Sequence, residues 1–120
     1  MQRHRTQFLV TVTINNASEA PPAELQAAMS ALIEADTRRG TFTVTGGLAP
    51  HSAGTRLTLS ANGAGRSDAR GPLHGFAVVE AQSLDEAIDV ATRMLNLHQK
   101  YVPNWECEWE VRPIVTHCLP

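Results

Sequence analysis

The chain is short of charge, aromatic rings and cysteine, and each shortage removes a class of explanation. Only 18% of its 120 residues are charged, below the quarter or so usual in soluble domains, yet 42% are hydrophobic, which argues against a disordered, solvated chain. Ten Lys+Arg oppose twelve Asp+Glu, leaving a net charge of -2 and no basic excess to neutralise phosphates or anionic lipid. Neither nucleic acid nor a membrane is therefore expected as a partner. No apolar run approaches the 18 or so residues that span a bilayer, and Phe8 to Ile14 is interrupted by Thr11 and Thr13. The expectation is no membrane span and no signal peptide. The two cysteines, Cys107 and Cys118, give no disulfide framework and fit a reducing, cytoplasmic setting. Asn16-Ala17-Ser18 matches a glycosylation sequon, which matters only in a secreted chain.

What is present is periodicity, arranged as one domain over 1–120 with no internal repeat. Phe8, Val10, Val12 and Ile14 alternate with Leu9, Thr11 and Thr13, predicting a strand over 6–15. Pro22 suits a first helical position. Leu25, Met29, Leu32 and Ile33 continue a helical stripe, and Arg38-Arg39-Gly40 supply cations and a stop, predicting a helix over 21–39. Strands are expected over 41–48 and 55–60, an exposed loop over 61–73, and a strand over 74–81. Ser83 and Glu86 form a capping box for a helix over 83–99, whose stripe of Leu84, Ala87, Ile88, Ala91, Met94 and Leu95 extends to His98. Trp105, Cys107, Trp109 and Val111 alternate with Glu106, Glu108, Glu110 and Arg112 in a last strand over 105–114.

The fold class is therefore α+β, a ferredoxin-like βαββ(β)αβ plan with an antiparallel sheet. Two helices cover one face of such a sheet, so the other must meet water, a ligand or another subunit.

Gly46-Gly47-Leu48-Ala49-Pro50 with Thr55-Arg56-Leu57, Gly75 to Ala81 with Leu84-Asp85-Glu86-Ala87, and Glu110-Val111-Arg112-Pro113-Ile114 resemble the YCII-related family, in its DGPF-motif branch. The resemblance runs from about Phe8 to Ile114. It implies a dimeric α+β barrel, a homodimer whose sheets face each other and enclose pockets. The name-giving loop departs from the family: Asp68-Ala69-Arg70-Gly71-Pro72-Leu73-His74 is shorter and lacks its acidic-basic segment, and no His lies between Pro21 and Gly40. Fold and dimerisation are transferred, and no catalytic role is.

RNA-recognition motifs share this plan, and His74 to Ala81 looks like their ribonucleoprotein signature. Val78 and Ala81 stand where stacking rings belong, and aromatics total 5%, which reads against RNA. Phosphate-loop, dinucleotide, zinc-protease and serine-hydrolase motifs are lacking. Cys107, His117 and Cys118 match no familiar ligand set, so neither metal nor cofactor is expected.

The candidate catalytic residues are His98, Glu110, Arg112 and His74. An imidazole on a buried stripe is suited to acid/base work near neutral pH, unless the helix has frayed by then and His98 merely caps it. His74 precedes a strand in the altered loop, at a pocket mouth or in solvent. Glu110 with Arg112 is the pair that the family resemblance places in the closing strand; otherwise they pair with each other at the sheet edge. Arg56 and Arg112 suit a bidentate grip on a carboxylate or enolate. Thr11, Thr43 and Trp109 complete the expected substrate contacts, although Trp109 equally suits packing against the helices. The leading expectation is a small cofactor-independent isomerase or lyase abstracting a proton next to a carbonyl of a small-molecule substrate. The alternatives are a non-catalytic ligand-binding or regulatory dimer and, behind it, an RNA-recognition-like module.

Overall fold

A computed structural model describes residues 6–16, 20–71 and 73–115. The elements are β1 (Thr6–Ile14), α1 (Ala23–Arg38), β2 (Phe42–Gly47), a 3-10 turn (His51–Ala53), β3 (Thr55–Ser60), β4 (Gly63–Asp68), β5 (Leu73–Ala81), α2 (Leu84–Tyr101) and β6 (Cys107–Pro113). Four strands form one sheet in the order β2-β5-β1-β6, each antiparallel to its neighbour, while β3 and β4 pair separately. This is an α+β fold with two helices and antiparallel sheets, compatible with the ferredoxin-like plan.

The period-two pattern of β1 sends Phe8 and Val10 under the helices, and β5 does the same with Ala77, Val79 and Ala81. Phe42 from β2 and Ala87, Val90, Ala91 and Met94 from α2 complete the buried cluster. The alanines let α2 approach the sheet closely. Each fully buried Val or Phe contributes roughly 1.5–3 kcal/mol relative to an exposed one. Ser83 caps α2, its Oγ accepting from the Glu86 amide at 3.1 Å. Gly40, at φ +79°, supplies the left-handed residue that ends α1 and releases the chain into β2. Asp36 is wholly buried between the helices. Its Oδ1 accepts from Arg39 at 3.0 Å, and the Arg93 guanidinium lies 3.1 Å from Oδ2, off the hydrogen-bond axis.

Three expectations are corrected. The segment 61–73 is not all loop, because β4 occupies Gly63–Asp68 and pairs with β3 from Thr55↔Asp68 to Ser60↔Gly63. It has no large apolar side chain to show a period; only backbone pairing around the Ala61-Asn62 turn makes it a strand, and Gly63, its first residue, sits at φ +111°. The strand at 55–60 consequently belongs to this hairpin rather than to the main sheet. The stripe of α2 is also rotated. Ala87, Val90, Ala91 and Met94 face the core, whereas Leu84, Ile88 and Leu95 lie on its flank at 48%, 41% and 39% exposure. The small residues win the central positions because they admit the closest contact with the sheet.

Among the described residues no helix is long and apolar enough to cross a membrane.

Candidate functional site

One opening lies between the helices and the sheet. It is a cavity of about 320 Å³ lined by Val10, Val12 and Ile14 of β1, Met29 and Ile33 of α1, and Met94 of α2. Its size falls at the lower end of small-molecule pockets, roughly 300–1,000 Å³. Glycines shape its margin: a Cβ on Gly75 would stand 3.1 Å from the Gly46 carbonyl oxygen and 3.3 Å from Val12 Cγ1. Into this apolar space come three polar side chains, His74, His98 and Trp109, with Thr45 beside them.

His98 lies inside α2, not at a frayed end, since the helix runs on to Tyr101. Its Nδ1 is 2.9 Å from the Met94 carbonyl oxygen. A carbonyl only accepts, so Nδ1 carries the proton of the neutral ring and Nε2 keeps a lone pair. Trp109 meets the imidazole edge to face, ring centroids 5.1 Å apart at 73°, which fixes its orientation. His74 has the opposite arrangement. The Ile14 amide donates to its Nδ1 at 3.2 Å, so the proton of its neutral ring sits on Nε2.

A bulge delivers His74 to this place. Val12 pairs with Gly75 and Thr13 with Leu73, leaving His74 as the extra residue of β5. Simple alternation would put His74 with Phe76, and both border the cavity; the register shift makes His74 the extra residue there. Trp109 reaches the cavity from β6 through the expected alternation, and its buried Nε1 has no hydrogen-bond partner among the described residues. It packs against the core under the helices, and the cavity it borders is one within the chain.

The other candidates lie elsewhere. Glu110 and Arg112 project from the open face of β6, 3.3 Å apart and largely exposed, paired with each other. Thr11 is opposite Glu110 on that same face. Thr43 is the exposed bulge residue of β2, and Arg56 donates from Nε to Ser67 Oγ at 3.1 Å on the hairpin. The expected convergence of titratable groups on one face therefore gives way to a division: His98, His74 and Trp109 on the covered side, Glu110, Arg112 and Thr11 on the open side. Sequence reading missed Met29, Ile33, Gly46 and Gly47 as cavity residues, and the facing glycines Gly46-Gly47 and Gly75 were the signal for them.

Among the described residues no Lys, Arg, Asp or Glu lines the cavity, so it favours an uncharged group. Among the described residues no group of three or more His, Cys, Asp or Glu is placed to hold a metal ion; His117 and Cys118 lie outside the described residues. Cys107 lines a smaller cavity beside His98 and Trp109, and burial raises its thiol above the ordinary value. A thiol that keeps its proton to higher pH offers less thiolate at any given pH. Peptide-resolved iodoacetamide labelling should accordingly find Cys107 slower than a free thiol at about pH 8, with the gap closing as pH rises. Labelling as fast as a free thiol at about pH 8 would contradict this environment.

No family model matches the chain, and no curated protein matches it significantly.

Proposed function

We propose that the chain is a small enzyme working without a cofactor, abstracting a proton next to a carbonyl as an isomerase or lyase does. The observation that carries this reading is the pair of histidines with opposed neutral tautomers on one apolar cavity. His98 Nε2 is the base. It removes a proton from the carbon beside the carbonyl, the electron pair moves onto the carbonyl oxygen, and the imidazolium returns that proton to another carbon. Trp109, through Nε1–H, donates to the oxygen as negative charge develops, the part first expected of Arg112 or Arg56, and His74 stands at the margin of the same cavity. The lack of charged lining residues makes the substrate a neutral carbonyl compound, and an apolar surround strengthens the Trp109 hydrogen bond.

The reading extends to a homodimer of the YCII-related type. The face of the sheet away from the helices carries Leu9, Thr11, Phe76 and Val78, half-buried and without a covering layer among the described residues. A second copy is the simplest cover.

The test is nitrogen NMR on a chain labelled at histidine. At neutral pH His98 should show the Nδ1–H tautomer and His74 the Nε2–H tautomer. A panel of neutral unsaturated ketones and lactones in deuterated water should include a compound that shifts His98, His74 and the Trp109 indole together and loses a proton next to its carbonyl. Identical tautomers at both histidines would defeat the proposal. Binding with no proton exchange would favour the second reading, a non-catalytic ligand-binding dimer.

A further inference from the structure

We infer that the β3–β4 hairpin is an exchange arm that seats on the open sheet face of a second copy of this chain. The inference rests on the homodimer reading and names the part of the partner that covers the sheet.

The hairpin stands away from its own body. Among the described elements its substantial contact is that of β4 with the 3-10 turn at His51–Ala53, and the radius of gyration, 16.5 Å, exceeds the roughly 14 Å of a compact domain this long. A lone two-stranded hairpin is marginal in water. This one also carries Leu57 and Leu59 at 77% and 87% exposure on one face. Two such leucines, side by side and unsupported, mark a contact surface rather than a solvated turn.

The open sheet face complements that arm in two ways. It offers apolar area in Leu9, Phe76, Val78 and Val44. Both surfaces carry mixed charge that can pair: Arg66, directly across from Leu57 on the arm, can meet Glu80 or Glu108 of the sheet face, none of these three forming an ion pair among the described residues, while Asp68 lies on the arm's same face and Arg112 on the sheet's. Reciprocal exchange, each arm on the other's sheet, closes with two-fold symmetry and leaves neither leucine face in water.

Sedimentation of the full chain at micromolar concentration is expected to show a dimer. Leu57→Asp combined with Leu59→Asp should weaken that dimer about 100-fold or more while leaving the circular dichroism of the main sheet unchanged, because both side chains already lie outside the core. With Cys107→Ser and Cys118→Ser in the background, a chain carrying Leu59→Cys mixed with one carrying Val78→Cys should form a disulfide-linked pair. A dimer that survives the double aspartate variant but is lost with Val78→Asp would overturn the arm and leave a sheet-on-sheet dimer standing. A wild-type monomer would overturn both.

Discussion

Replacing His98 by alanine is expected to lower the rate of proton exchange on a substrate by about 10²–10⁴-fold, the usual contribution of a positioned general base. The reason is geometric. The Met94 carbonyl and the Trp109 ring hold the imidazole in one tautomer and one orientation, so water entering the vacated space has neither the basicity nor the placement of Nε2. His74→Ala should cost less, because the Trp109 indole still offers a donor. Glu110→Gln and Arg112→Ala should leave turnover unchanged, since both residues lie on the other side of the sheet. Exchange measured by proton NMR on the four purified variants checks the set. Equal losses in Glu110→Gln and His98→Ala would move the chemistry to the open face and end the present reading.

Asp36→Ala should destabilise the fold by about 2–3 kcal/mol, seen as a drop in Tm of roughly 10 °C or more. Asp36 is fully buried and joins α1 to α2 through Arg93, with Arg39 closing the other side. Its loss removes charge-assisted bonds and leaves a void. The arginines, at 65% and 42% side-chain exposure, can rehydrate, which keeps the penalty below that of stranding a buried charge. Arg93→Met is the informative companion, because it leaves the carboxylate buried with Arg39 alone. If thermal unfolding showed both variants within about 0.5 kcal/mol of the parent, the carboxylate would have no structural role.

Most of the main sheet was legible because its strands bury one face: Phe8 and Val10, or Ala77, Val79 and Ala81, announce a period of two and fix which side turns inward. The helices were legible from Ser83 and Gly40 at their ends. The hairpin was not, because a strand composed of Gly, Ala, Arg, Ser and Asp buries nothing and leaves no pattern; its clue was the Asn62-Gly63 pair. Only part of the candidate site could be read. His98 and Trp109 follow from periodicity carried to the end of their elements, but His74 depends on a bulge, a local register fault that alternation cannot forecast. The side on which a cavity opens depends on volume: Gly46, Gly47 and Gly75 border the space, where composition suggested only core.

The sheet ends in two unequal borders. At β6 the outermost strand alternates Glu108, Glu110 and Arg112 with its inward residues, so an approaching foreign strand would have to pair its backbone past a row of hydrated ions. At β2 the border is short and finishes in Gly46-Gly47. Accretion of further chains edge to edge is thereby discouraged along β6.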